Sequence, residues 1–179
     1  MAERQEEHFS AQCTGLEVSV DESLQVATLR YFTPGGAFGA EVRAALGAAL
    51  PQALQAVQVA EGPVILAWRS PTETLSVTAD AARLAQLRVR LEGATDGCMV
   101  DLSGGLEAVR VSGERTADLL CRLGGAACVP QPGGARRGRL ADVPVVTLSV
   151  RPEETLLLVD RAYLPHLMGW IRETMLDFA

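Results

Sequence analysis

Pro63-Val64-Ile65-Leu66-Ala67-Trp68-Arg69-Ser70-Pro71-Thr72-Glu73-Thr74-Leu75 returns 81 residues later, without a gap, as Pro144-Val145-Val146-Thr147-Leu148-Ser149-Val150-Arg151-Pro152-Glu153-Glu154-Thr155-Leu156. Extended to Leu87 and Met168, the match holds seven identities in twenty-five positions, where chance gives roughly two in a chain so rich in Ala, Leu and Val. The shared punctuation, Pro-x-Glu-Thr-Leu at 71–75 and 152–156, marks a turn between two apolar runs in each copy. Two copies of one unit therefore set the fold, and each can be read outward from its hairpin.

In the first copy, Leu24 to Tyr31 alternates like a half-buried strand. Glycines at 35, 36 and 39 lead into a helix with Val42, Leu46 and Leu50 on one face, and Pro51 is predicted to end it. The hairpin of Val64–Trp68 and Thr74–Thr78 follows. Asp80 is placed to cap a second helix whose stripe is Leu84, Leu87 and Leu91. The second copy repeats the order: a strand over Glu107–Val111, a helix over Thr116–Leu123 stopped by Gly124-Gly125, the hairpin of Val143–Val150 and Thr155–Val159, and a last helix from about Ala162 to Met175. That helix carries Leu164, Leu167, Ile171 and Met175 on one face. Between the copies, Met99–Ser103 is a spare strand, able to complete the first unit or to pair with the strand starting near Leu106. The expected fold is α+β: two ferredoxin-like β-α-β-β-α units packed side by side in one compact domain. Residues 1–15 are expected to be a disordered tail, 16–103 the first unit and 104–179 the second.

Composition excludes several function classes. All sixteen basic residues are Arg, which removes a P-loop lysine, a Schiff-base lysine and any catalytic ammonium. A net charge of −6 argues against nonspecific nucleic-acid binding. No apolar run approaches the ~20 residues of a membrane span, and the acidic start reads as neither signal nor transit peptide, so a cytoplasmic protein is expected. Cys13, Cys98, Cys121 and Cys128 lack metal or disulfide spacing and read as reduced thiols, mostly core filler. No metal site is expected.

Candidate site residues are few. Arg136, Arg137 and Arg139 follow Pro130-Gln131-Pro132-Gly133-Gly134 and are predicted to lie on a loop. That loop is either simply solvated or grips carboxylates or phosphates bidentately, as in contact with an acidic partner surface. Asp101 and Ser103 either bind a ligand or cap the turn that follows them. His166 reads as a packed or surface-edge histidine, and Trp68 and Trp170 as core aromatics. With His8 in the tail, no Ser-His-Asp set can be assembled, and neither Gly104-Gly105 nor Gly124-Gly125 has dinucleotide spacing. No catalytic residue is identified.

The stretch Val100-Asp101-Leu102-Ser103-Gly104-Gly105-Leu106-Glu107-Ala108-Val109-Arg110-Val111-Ser112-Gly113, running into a Leu-rich helix, resembles the glycine-cleavage T-protein superfamily, in which an Asp-x-Ser strand precedes a second strand ending in Gly. Within it, the chain is similar to the gamma subunits of heterotetrameric sarcosine oxidase over roughly residues 40–179. The likeness lies in the Trp68–Glu73 hairpin, the Asp101 and Ser103 strand, and Leu158-Val159-Asp160-Arg161-Ala162-Tyr163 before a Trp-bearing helix. The resemblance implies a T-protein-like fold and an accessory subunit, with FAD, FMN, NAD and tetrahydrofolate handled by larger partner subunits and no cofactor in this chain. T-proteins place a catalytic carboxylate in the hairpin strand after the glycine-rich turn. Here that stretch is Val143-Pro144-Val145-Val146, and the nearest acid is Asp142. The alternatives are a small folate-binding module and a stand-alone homo-oligomer.

Overall fold

A computed structural model describes residues 10–178, Glu61 and Pro152 excepted. The described residues begin with a hairpin, β1 (Ser10–Cys13) and β2 (Leu16–Val20), which the tail-plus-first-unit expectation did not contain. The chain continues through β3 (Gln25–Tyr31), α1 (Ala37–Leu46), β4 (Ala56–Gln58), β5 (Val64–Ser70), β6 (Glu73–Thr78), α2 (Ala81–Leu91) and β7 (Gly97–Asp101). The second copy supplies β8 (Leu106–Ser112), α3 (Thr116–Gly124), β9 (Ala135–Leu140), β10 (Val143–Arg151), β11 (Glu154–Asp160) and α4 (Leu164–Met175). One antiparallel sheet runs β4-β5-β6-β3-β7, the other β1-β2-β8-β11-β10-β9. In each, the first strand of a copy lies beside the third, with the second strand and a closing strand outside them. That is the ferredoxin-like order.

The spare strand joins the first copy. β7 pairs with β3, Ala27 opposite Asp101 and Tyr31 opposite Gly97. Among the described residues the second copy has no strand after α4, and β2 takes the corresponding place beside β8, Val20 opposite Val109 and Glu17 opposite Ser112. Residues 16–20 thus complete the second sheet, although they precede the first unit in sequence. Leu16 and Val18 are buried there between β8 and the helices.

The hairpins superimpose strand for strand. Val64 faces Thr78 and Val145 faces Val159; both ladders then slip at one place, between Trp68 and Ser70 in the first and between Ser149 and Arg151 in the second. The shared triplet explains itself in this register. Leu75 and Leu156 enter the core between the sheets, Thr74 and Thr155 are buried, and Glu73 and Glu154 meet arginines. Side chains alternate along a strand, so the three jobs fall on successive residues.

Three apolar clusters hold the layers. Leu29, Phe38, Val42, Leu66, Leu87 and Leu91 lie between the first sheet and its helices; Val109, Leu119, Leu157, Leu167 and Ile171 lie between the second sheet and its own. Val26, Leu75, Val77, Val146, Leu148, Leu156 and Leu158 join the helix-free faces of the sheets. The units are side by side as expected, and the contact is sheet on sheet. It buries both faces of β3, so the half-buried reading of Leu24–Tyr31 is corrected: Val26, Ala27, Thr28 and Leu29 are all buried.

Local signals are followed closely at the helices. Asp80 caps α2, its carboxylate accepting the Arg83 N–H at 2.9 Å. The first helix ends earlier than Pro51: Gly47, at φ 69°, donates its N–H to Arg43, and Leu50 packs from the loop beyond. Between α1 and β4, and again between α3 and β9, the chain makes the same turn. Gln55 donates to Gln52 and Gly134 to Gln131, and the two turns pair through a Gln55–Gly134 bridge. Reciprocal bonds, Ala56 N–H to Gly133 and Ala135 N–H to Leu54, make this crossing symmetric. Both turns need a left-handed residue, filled by Gly133 at φ 69° and by Leu54 at φ 65°. Only glycine adopts it without steric cost.

Candidate functional site

Arg136, Arg137 and Arg139 do not lie on a loop. They form the edge strand β9, antiparallel to β10, with Arg137 opposite Val146 and Arg139 opposite Pro144. The Pro and Gly residues that suggested a loop are spent on the turn before it. Gly138 has its own cause: a Cβ there would stand 2.6 Å from Cys128 Sγ, which is buried. Strand alternation splits the guanidinium groups, sending Arg136 to one face and Arg137 and Arg139 to the other. Arg139 reaches the Asp142 carbonyl and, at 3.7 Å, its carboxylate.

Arg137 therefore meets residues from the opposite sheet. A cleft of about 180 Å³ is lined by Arg137 of β9, Arg69 of β5, Asp160 at the end of β11, and Tyr163, with Leu106, Pro144 and Leu158 as an apolar floor. Arg69 also stands 3.7 Å from Glu73, and Asp160 accepts the Ala162 N–H at 2.9 Å. The cleft is a place where two planar cations flank an apolar slot, a geometry suited to a carboxylate on a protein chain. Sequence reasoning missed Arg69 because it sits at the ladder slip of β5, which periodicity does not reveal.

Asp101 and Ser103 are brought together by their own turn. The Ser103 N–H donates to Asp101 Oδ1 at 2.8 Å, and the Ser103 hydroxyl reaches the carbonyl of Val26 at 3.4 Å and its N–H at 3.3 Å. The Asp101 carboxylate serves the turn that leads from β7 toward β8, the capping alternative of the sequence reading, while the Ser103 hydroxyl ties that turn to β3. Asp142 is in the β9–β10 turn at φ 64°, its side chain 99% exposed. The following β10 residues Val143 and Val145 are buried toward the helices and Val146 toward the other sheet. The acid nearest this stretch, Asp142, thus lies outside the core.

Charged groups on the inner strands are structural ties. Arg110 of β8 binds Asp21 at 2.6 Å and also Glu154. Burial pushes the Asp21 carboxyl up, but hydrogen bonds from Ser23 and Arg110 and the charge of Arg110 outweigh it and hold the group below its ordinary 3.8. In the first sheet, Arg30 meets Glu73 at 2.8 Å. Burial raises the Tyr31 phenol above its ordinary range against its 2.9 Å hydrogen bond with Thr74, with the charge of Glu73 acting in the raising sense.

Two of the larger clefts lie elsewhere on the surface. One, of about 610 Å³, lies at the end of β3 and β7 between Arg30, Phe32, Thr72, Asp96 and Cys98, and Phe32 is 80% exposed. The other, of about 470 Å³, is bounded by Arg122, Asp142, His166 and Trp170, and Trp170 is half exposed, which corrects its reading as a core aromatic. Cys98 and Cys121 are exposed as well, so core filling holds for Cys128 and only partly for Cys13. Among the described residues, no cluster of three or more His, Cys, Asp or Glu is arranged to hold a metal ion. No helix is long and apolar enough to cross a membrane. His8 lies outside the described residues.

Comparison with known proteins agrees with this layout. The model of the family described as sarcosine oxidase, gamma subunit matches residues 32–174. The sarcosine oxidase subunit gamma of Arthrobacter sp is 30% identical over 150 residues, 82% of this chain and 73% of that one. A chain of the heterotetrameric sarcosine oxidase from Corynebacterium sp. U-96, solved with pyrrole 2-carboxylate, superimposes with a TM-score of 0.82 at 22% identity, over 95% of this chain and 89% of its own length. The glycine cleavage system aminomethyltransferase T of Bartonella henselae gives 0.66 at 13% identity, over 88% of this chain and 45% of that chain. The shared fold is that of the T-protein, and this chain spans a little under half of it.

Proposed function

The chain belongs to the sarcosine oxidase gamma subunit family, and from that premise we propose that it is a non-catalytic accessory subunit of a sarcosine-oxidising assembly. Larger flavoprotein subunits carry out the oxidative demethylation on this reading, with FAD, FMN, NAD and tetrahydrofolate bound there, and the assembly is cytoplasmic. The family match over residues 32–174 carries the proposal. The second-copy hairpin supports it, because Val143, Val145 and Val146 are packing residues and Asp142 points to solvent. What the surface offers instead is recognition: the Arg69 and Arg137 slot and the exposed Phe32 and Trp170 are the residue types that anchor protein interfaces. Arg136, Arg137 and Arg139 are assigned to contacts with acidic side chains of a partner.

Co-expression with the larger sarcosine oxidase subunits of the same organism tests the proposal. This chain should co-elute with flavin-bearing partners in fixed ratio. A chain that stays monomeric beside them, or that associates only with itself, overturns it.

A further inference from the structure

The two sheets end differently, and the difference points to a docking edge. In the six-stranded sheet the closing strand β2 is covered by β1 over all but its last residue, Ser10 to Cys13 against Ser19 to Leu16. Its structural counterpart in the five-stranded sheet, β7, has no neighbour beyond it among the described residues. The β3–β7 ladder is continued by Phe32 N–H to Asp96 and Leu102 N–H to Val26, so by antiparallel alternation Cys98 and Val100 bond to β3. The backbone groups of Gly97, Met99 and Asp101 face outward.

Little on β7 guards that edge. Gly97-Cys98-Met99-Val100-Asp101 has neither proline nor a basic residue, its one charge is Asp101 at the strand end, and no ladder slip interrupts its pairing with β3. Concave surface lies on both sides of the strand. The 610 Å³ cleft reaches Cys98 beside the exposed Phe32, and a second of about 360 Å³ runs between Met99 and the exposed Val89 of α2. An added strand would hydrogen-bond to β7 and drop alternate side chains into the two clefts, the arrangement that gives strand addition both affinity and specificity.

We infer that β7 receives an extended segment of a larger subunit, which adds a sixth strand to the first sheet as β1 does to the second. The segment presents apolar side chains toward Phe32, Cys98 and Val100. This inference rests on the accessory-subunit reading, because it takes the partner from it.

Amide hydrogen exchange of the isolated chain and of the co-expressed complex tests it. Met99 and Asp101 should exchange freely in the isolated chain and slow by roughly 100-fold or more in the complex, as ladder amides do, while Cys98 and Val100 stay protected in both. Val100→Arg, at an exposed position, should weaken the complex at least tenfold and leave the melting temperature of the isolated chain nearly unchanged. A complex that forms with Met99 and Asp101 still exchanging freely overturns the docking edge and leaves the accessory role standing. Failure to form any complex overturns both. Protection in the isolated chain that grows with its concentration makes a second copy the occupant and equally defeats the proposal.

Discussion

The first half of the molecule closes its sheet with β7, the strand that follows its second helix, whereas the second half closes with β2, drawn from the far end of the chain. Around that difference the halves keep the same hairpin register, the same ladder slip and the same crossing turn. Their cores solve one packing problem in opposite ways. In the first hairpin Leu66 faces Ser76; at the equivalent place in the second, Thr147 faces Leu157. Each pair is one leucine and one hydroxyl, all four residues fully buried or nearly so. The Thr147 hydroxyl donates to the Cys128 carbonyl at 2.8 Å, while Ser76 has no partner among the described residues. A duplicated fold therefore tolerates exchange of side chains between strands so long as the volume is kept. Satisfaction of the hydroxyl was achieved on one side alone.

The largest test of the comparison removes its asymmetry. A chain lacking residues 1–20 loses the strand that closes the second sheet. Exposure of the Leu16 and Val18 sites alone should then cost roughly 3–6 kcal/mol, read as a lower urea midpoint. An unchanged midpoint would show that β2 does not complete the second half. Next in size, Leu157→Ala should destabilise by about 2–5 kcal/mol, whereas Ser76→Ala, which removes an unpartnered buried hydroxyl, should stabilise by about 1 kcal/mol. Equal losses in both variants would mean that Ser76 finds a partner.

The crossing turn provides a finer probe. Gly133→Ala places a Cβ at positive φ and should cost about 1–2 kcal/mol, while Leu54→Gly relieves the same strain in the other copy. Thermal melts moving in the same direction for both would contradict the symmetry. The smallest expected effect is at Arg110, which ties the incoming N-terminal segment through Asp21. Arg110→Gln should cost about 1 kcal/mol at neutral pH, since the pair is partly exposed. Because the folded Asp21 carboxyl titrates below its ordinary 3.8, its contribution is complete above that value and is lost as pH falls through the lower folded one. The variant should therefore lose less stability than the parent between pH 4 and lower values, and a steeper acid loss would rule out this tie.

Much of this was legible before any coordinates. The Pro-x-Glu-Thr-Leu echo located both hairpins, Asp80 announced its helix, and the leucine stripes gave the faces that are buried. These signals are local, carried by residues within one turn or one hairpin of each other. The Arg136–Arg139 strand was hidden because Pro132 and Gly133 looked like the loop itself, when they form only its turn; a polar edge strand has no apolar alternation to display. The Arg69 and Arg137 cleft was hidden for another reason, since its two cations come from different sheets.

By itself the sequence determined the duplicated unit, the helices and hairpins, the absence of lysine chemistry and the resemblance to the sarcosine oxidase gamma subunits. Only the tertiary structure decided that β2 rather than a local strand closes the second sheet, that the sheets meet through their helix-free faces, and that β7 is left bare among the described residues. The physical reason is range. Periodicity and capping act over a few residues, but strand pairing across the chain depends on which edges remain unpaired after every local element has formed.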